Sequence, residues 1–138
     1  MADKKLNVNI ITPLQVIFSG EADIVNVPGA KSPFEVLINH APIVSSLEHG
    51  IIKISDRKAG TSKFISSEGF IEVSNNNVAI LVENAVDMSN LSIDTIEHNI
   101  EMINSKLTNP EINEAEQHAL MKELTFEKFR KKTLLSQN

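Results

Sequence analysis

Residues 27 to 50 read VPGAKSPFEVLINHAPIVSSLEHG, and the fold is read outward from them. The stretch opens on a Pro28-Gly29 turn, passes through a short apolar strand carrying Phe34, Val36 and Leu37, and reaches His40-Ala41-Pro42. A second stretch, residues 64 to 85, reads FISSEGFIEVSNNNVAILVENA. Its apolar runs flank Ser74-Asn75-Asn76-Asn77, and because Asn tolerates positive φ the Asn run predicts a tight turn. Taken by residue type alone, these stretches predict a β domain and name no chemistry.

More strands are expected on either side. Leu6, Val8 and Ile10 alternate with polar residues, the period of a half-buried strand. Ser19-Gly20 reads as a turn, with Val25 and Val27 in the strand beyond it. Ile51, Ile52 and Ile54 lead into the polar loop Asp56-Arg57-Lys58-Ala59-Gly60 and out through Phe64 and Ile65, a hairpin. Many short strands at this spacing predict an antiparallel sandwich or barrel.

The pattern changes after Asp87. Ile93, Ile96, Ile100, Ile103 and Leu107 recur at spacings of 3 and 4, a one-sided helical stripe. Ser92 is the expected N-cap, and Asp94 lies in the first turn, where the helix dipole favours an anion. Asn109-Pro110 is expected to end this helix and start a second of similar length, with Asn as cap and Pro at the first helical position. Glu111, Glu114 and Glu116 would then open the second helix and Lys128, Arg130, Lys131 and Lys132 close it, both suiting the macrodipole. A two-residue break predicts an antiparallel hairpin, with Ala115 and Ala119 as the small residues opposite the isoleucine stripe. Apolar residues on several faces of the second helix call for a covering surface, the sandwich or another protein. The expected class is α+β: a β-sandwich over residues 1–87 and a helical hairpin over residues 88–138.

Composition narrows the function. The chain has 138 residues, 41% of them hydrophobic, with six Phe and no Trp or Tyr, so its core must be aliphatic. A net charge of −5 gives the whole chain no basic footprint for nucleic acid. With no Cys, disulfides, thiolate metal sites and cysteine nucleophiles are excluded. Met1-Ala2-Asp3-Lys4-Lys5 shows no apolar core of a signal peptide. No apolar run approaches the roughly 20 residues of a spanning helix. The expectation is a soluble chain that reaches any membrane through a partner.

No enzymatic constellation emerges. His40, His49, His98 and His118 form no metal-ligand spacing. Ser45-Ser46 and Ser66-Ser67 have no nucleophile elbow and no base nearby. The five Gly are isolated, so no phosphate loop exists. The cluster Lys128, Arg130, Lys131, Lys132 reads either as a solvated helix end or as a patch for an acidic partner.

The Val27-Pro28-Gly29 turn, the F-x-V-L-x-x-H-A-P run and the second stretch together resemble the epsilon subunits of F-type ATP synthases, over essentially the whole chain. The resemblance implies a non-catalytic central-stalk component without a cofactor. It implies a sandwich joining gamma to the ring of c subunits, with His40, Ala41 and Pro42 in the region facing the rotor. It implies a hairpin that regulates ATP hydrolysis, its basic residues meeting an acidic stretch of a beta subunit when extended. The implied location is peripheral, on the cytoplasmic face of a bacterial plasma membrane. Some members bind ATP through I/L-D-x-x-R-A at the first helix. Here Ile93 and Asp94 fit, but Glu97 stands in the Arg position and His98 in the Ala position, and a carboxylate there repels phosphate. Members often carry G-E-F-G-V-L-P-G-H-A-P. Ser32, Pro33, Glu35, Ile38 and Asn39 replace several of those residues, and Glu68-Gly69 replaces a Gly-Gly pair, so altered local backbone is expected where glycines are lost. From other classes, a free-standing adaptor with a helical tail and a small cupin-like metal enzyme remain open, the latter against the histidine spacing.

Overall fold

The computed structural model describes residues 4–137; Met1 to Asp3, part of the expected leaderless start, lie outside the described residues. The chain divides into two compact units, Met1–Ser89 and Asn90–Asn138.

Among the described residues the first unit holds ten strands: β1 (Leu6–Ile11), β2 (Val16–Ala22), β3 (Ile24–Val27), β4 (Phe34–Leu37), β5 (Ile43–Leu47), β6 (Gly50–Asp56), β7 (Gly60–Ser66), β8 (Gly69–Ser74), β9 (Asn77–Val82) and β10 (Ala85–Asp87). They form two five-stranded sheets, ordered β2-β1-β9-β8-β5 and β10-β7-β6-β3-β4. The alternation read at Leu6, Val8 and Ile10 is a burial pattern: all three are buried and Asn7 is exposed. The same period on β8 and β9 buries Ile71, Val73, Val78, Ile80 and Val82. The core is aliphatic apart from Phe64, whose ring meets half-buried Phe18 edge-on at 5.6 Å. Each fully buried Leu, Ile or Val contributes roughly 1.5–3 kcal/mol, and there are enough of them to replace an aromatic centre.

Two strand expectations are corrected. Ser19-Gly20 is no turn but the middle of β2. The reversal occurs at residues 12–15, where Thr12 N–H donates to the Gln15 carbonyl and Thr12 Oγ1 takes up the Gln15 N–H; an adjacent Pro13 and a Thr side-chain bond outweigh Ser-Gly. Nor is every pairing antiparallel: β1 runs parallel to β9. The two are far apart in sequence, so no tight turn dictates their direction.

The β6–β7 hairpin forms at Asp56 to Gly60, with Gly60 at φ 91. Asn75 (φ 50) and Asn76 (φ 64) make the β8–β9 turn left-handed at both central residues, which suits the twist of the flanking strands. Of the Glu68-Gly69 pair the glycine that matters is retained, because a Cβ on Gly69 would strike the Leu81 carbonyl oxygen.

The second unit holds α1 (Ile93–Leu107, 15 residues) and α2 (Glu114–Ser136, 23 residues). Ser92 caps α1 by accepting the Thr95 N–H. Ile96 and Ile103 are buried, and Ile93, Ile100 and Leu107 are half-buried along the same stripe. Glu97, in the second turn of α1, meets Lys131, near the end of α2, so the pair is antiparallel.

Several helix expectations fail. Asn109 does not cap α2, and Pro110 is not its first residue. Asn109 Oδ1 instead accepts the Glu111 N–H, a local turn, and Ile112 N–H returns to the Asn109 carbonyl. The cap is Asn113: its Oδ1 accepts the Glu116 N–H at 2.8 Å while its Nδ2 donates to the Glu116 carboxylate at 2.7 Å. Reciprocal satisfaction of this kind beats a lone Asn-Pro signal. The break therefore spans residues 108–113, and the helices are unequal in length. Helix α2 continues past the basic cluster, and its last turn holds no basic residue, so the cluster does not complement the C-terminal dipole. Ala115 and Ala119 are exposed; the buried residues of α2 are Leu124, Phe126 and Glu127.

Candidate functional site

The registers put one set of turns at the same end of the sandwich. Leu6 pairs with Ala22, Ile24 with both Leu37 and Ser55, Asn7 with Asn77, and Ile43 with Val73. That end therefore carries Lys5, the β2–β3 corner, the His40-Ala41-Pro42 loop, the β6–β7 hairpin turn and the Asn75-Asn76 turn.

His40-Ala41-Pro42 connects β4, an edge of one sheet, to β5, an edge of the other. His40 N–H donates to the Leu37 carbonyl at 3.1 Å. Asn39 is at φ 68 and Ile38 is not left-handed, the pattern of a type II turn. Asn39 takes a left-handed backbone that glycine would adopt without strain and that Asn tolerates well. His40 Nδ1 lies 2.7 Å from the Ala41 carbonyl oxygen, which can only accept, so Nδ1 is the donor of this bond. Ala41 and Pro42 are exposed and His40 half-buried.

Beside this loop, Lys5 Nζ bridges Asp23 (2.8 Å) and Asp56 (2.7 Å). The second oxygen of each carboxylate accepts a backbone N–H, from Arg57 and Ala59 respectively. The Lys5 hydrogen bond, then the backbone bond, holds each Asp below the usual carboxylate range, and the two carboxylates raise the Lys5 ammonium. A cleft of about 450 Å³ opens here, lined by Asp23, Ile24, Leu37, Ile38, Ser55, Asp56 and Arg57. Each oxygen of both acids already accepts one hydrogen bond, so the carboxylates brace the turns. No group of three His, Asp or Glu side chains that could hold a metal occurs among the described residues.

A second feature lies on the outer face of the β2-β1-β9-β8-β5 sheet. Val16, Ile11, Leu81 and Phe70 stand directly opposite one another across four strands. Val16 and Phe70 are each 57% exposed and Leu81 45%, and Val44 on β5 is 72% exposed. Of these, Phe70 and Leu81 lie in runs expected as strands from sequence, and Ile11, Val16 and Val44 are not singled out by it. The signal was present as apolar residues on both faces of β9, a pattern of strands covered on two sides.

The basic cluster on α2 is not a uniform patch. Arg130 donates to the buried Glu127 carboxylate at 2.6 Å and lies 4.5 Å over the Phe126 ring. Burial lowers the Arg130 guanidinium from its ordinary value, opposed by the adjacent Glu127 charge. Lys131 reaches Glu97 on α1 at 3.3 Å. Lys128 and Lys132 are exposed. Asp94 is exposed in the first turn of α1, and Glu97 is engaged with Lys131 of α2.

A sandwich with an exposed loop end and an apolar outer face, followed by a helical pair, defines a class of chain whose conspicuous features are contact surfaces. The family model described as "ATP synthase, Delta/Epsilon chain, beta-sandwich domain" matches residues 5–88. The chain belongs to this ATP synthase delta/epsilon family. It is 29% identical over 126 residues to the ATP synthase epsilon chain of Hyphomonas neptunium, covering 91% of this chain and 93% of that one. It is 42% identical over 91 residues to the epsilon chain of Leptospira borgpetersenii, covering 65% and 70%. Among solved structures, a chain of the Euglena gracilis mitochondrial ATP synthase (OSCP/F1/c-ring) superposes with a TM-score of 0.62 at 18% identity, covering 89% of this chain and 76% of that one. A chain of the Tetrahymena thermophila mitochondrial ATP synthase central stalk and c-ring gives 0.56 at 14%, covering 97% and 99%. At those identities the likeness is one of fold.

Proposed function

We propose that the chain is the epsilon-type central-stalk subunit of a rotary, proton-translocating F-type ATP synthase, without an active site of its own. The sandwich joins gamma to the ring of c subunits, and the helices restrain ATP hydrolysis by meeting a beta subunit when extended. Attachment to the membrane is peripheral, through the complex, on the cytoplasmic face of a bacterial plasma membrane. No described helix is long and apolar enough to cross a membrane, in keeping with this reading.

The observation that carries the proposal is the coincidence of the family match, residues 5–88, with the unit that bears the exposed Val16-Ile11-Leu81-Phe70 row and the His40-Ala41-Pro42 loop. An apolar row of this kind needs a covering partner. We assign it to gamma and the loop to the rotor side. Lys128 and Lys132 are the cations left for an acidic surface of beta. Asp94 belongs to the cap region of α1, with no nucleotide role.

The test is reconstitution. Full-length chain mixed with gamma is expected to co-elute, and Phe70→Glu to abolish co-elution while the variant still melts cooperatively. Omitting residues 90–138 is expected to raise ATP hydrolysis by the assembled enzyme. A chain that never co-elutes with gamma overturns the stalk reading; an unchanged hydrolysis rate overturns the regulatory half.

A further inference from the structure

The His40-Ala41-Pro42 loop has few bonds of its own. Pro42 has no N–H to give, and the loop crosses between sheets at their edges, where no ladder continues. What holds its apex comes from a turn 37 residues further along the chain. Asn39 N–H donates to Asn76 Oδ1 at 2.6 Å, and Asn76 Nδ2 donates back to Asn39 Oδ1 at 3.3 Å. The first bond fixes which end of the Asn76 amide is oxygen, because only an acceptor can face a backbone N–H. Asn76 is itself anchored, its carbonyl accepting the Asn7 N–H at 2.7 Å. Both residues are left-handed, at φ 68 and φ 64. Glycine meets that backbone requirement at either site without strain, but only a short amide can also make the reciprocal pair.

We infer that Asn76 is a positioning residue for the His40-Ala41-Pro42 loop, acting through Asn39 to hold the loop in the geometry its partner recognises. The clasp ties the loop to the sheet containing β9 and β1, although the loop's own entry strand, β4, belongs to the other sheet. Its two bonds are exposed, so they bias the loop without carrying the fold. The inference rests on the reading of this loop as a partner contact. A loop ordered before binding loses less conformational freedom when it binds.

The experiment uses the full chain. Asn76→Gly keeps a residue able to adopt φ 64 and deletes only the clasp. Asn76→Asp keeps the acceptor for the Asn39 N–H. The readouts are amide hydrogen exchange at Asn39 and His40, and affinity for the reconstituted gamma–c-ring assembly, with His40→Ala as the contact control. Asn76→Gly is expected to speed Asn39 exchange about tenfold and weaken binding about three- to tenfold, with melting nearly unchanged. Asn76→Asp is expected to restore Asn39 protection and most of the affinity. Unchanged Asn39 exchange in Asn76→Gly overturns the clasp itself. Faster exchange with unchanged affinity, while His40→Ala weakens binding, overturns the positioning role alone. If His40→Ala also leaves affinity unchanged, the contact reading fails and this inference with it.

Discussion

The two units of this chain bury different things. The sandwich packs Leu6, Ile10, Val25, Ile52, Ile71 and Ile80 between two sheets with almost no polar atom among them. The helical unit buries Ile96 and Ile103 on one helix and, on the other, a charge together with its apolar residues: Glu127 is only 8% exposed beside Leu124 and Phe126. An aliphatic interior is lost only by global unfolding. A buried ion pair is costly to desolvate and can be nearly neutral for stability, while fixing one arrangement over others. The two units are thus stabilised in different ways, one by apolar packing between sheets and the other by a smaller apolar contact together with an ion pair within α2.

The largest effect separates them directly. Ile80→Ala deletes a fully buried side chain and is expected to destabilise the sandwich by about 2–5 kcal/mol. Ile103→Ala, from a less enclosed position, is expected to cost less and to leave the sandwich transition in place. Calorimetry with amide exchange on both variants distinguishes them: exchange in residues 93–136 of the unmodified chain is expected to be faster than in β1, β8 and β9. Equal protection in both units, or one shared transition shifted alike by both substitutions, would show that they do not unfold separately.

Next is Arg130→Ala, which removes the partner of a buried carboxylate and the cation over Phe126. A loss of about 1–3 kcal/mol in the helical unit is expected, followed as helical circular dichroism against urea. Lys128→Ala and Lys132→Ala, exposed and with no ion pair among the described residues, are expected to stay within about 0.5 kcal/mol of the unmodified chain. In the assembled enzyme the order is expected to reverse, the exposed lysines affecting hydrolysis through beta at low salt. A basic cluster that behaves as one block in both assays would break the distinction.

That distinction shows what the sequence could and could not reveal. Elements with a strong local signal were legible: the β1 alternation and the isoleucine stripe of α1 follow from spacing, and the Asn75-Asn76 turn from residue type. The start of α2 was not, because Asn109 and Asn113 both look like caps and only the reciprocal bond with Glu116 decides between them. Of the candidate site, the loop could be found as a motif. Its clasp could not, since nothing local links Asn39 to Asn76. Nor could the pairing of Lys131 with Glu97, or that of Lys5 with Asp23 and Asp56, where long-range folding supplies the partner.

The Lys5 bridge gives the sandwich a pH signature. Asp23 and Asp56 have folded values below the ordinary one, so their contribution is complete above about pH 4 and disappears as pH falls through the lowered values. Lys5 is raised, so its share is complete below about pH 10.5 and is lost only as pH climbs through the higher folded value. Lys5→Met is therefore expected to lower the sandwich melting temperature by a similar amount across the neutral range, and by less below pH 4. A gap between the two proteins that widens towards acid would mean that the carboxylates are not held by Lys5.

The smallest effect concerns Glu97 and Lys131. Their side chains are 52% and 38% exposed, so the pair contributes about 0–1 kcal/mol and is screened by salt. Glu97→Gln is expected to loosen the helical unit slightly at low ionic strength and not at all near 1 M salt. The same carboxylate makes a stronger statement about ligands. As an anion it repels phosphate, and it already holds Lys131, so it is expected to oppose ATP. Titration calorimetry of the full chain with ATP is expected to give no site tighter than millimolar. Glu97→Arg removes the repulsion and releases Lys131, so it gains ATP affinity only if the surrounding side chains already form the rest of a pocket. A tight site in the unmodified chain would show that α2 supplies enough other cations to override Glu97.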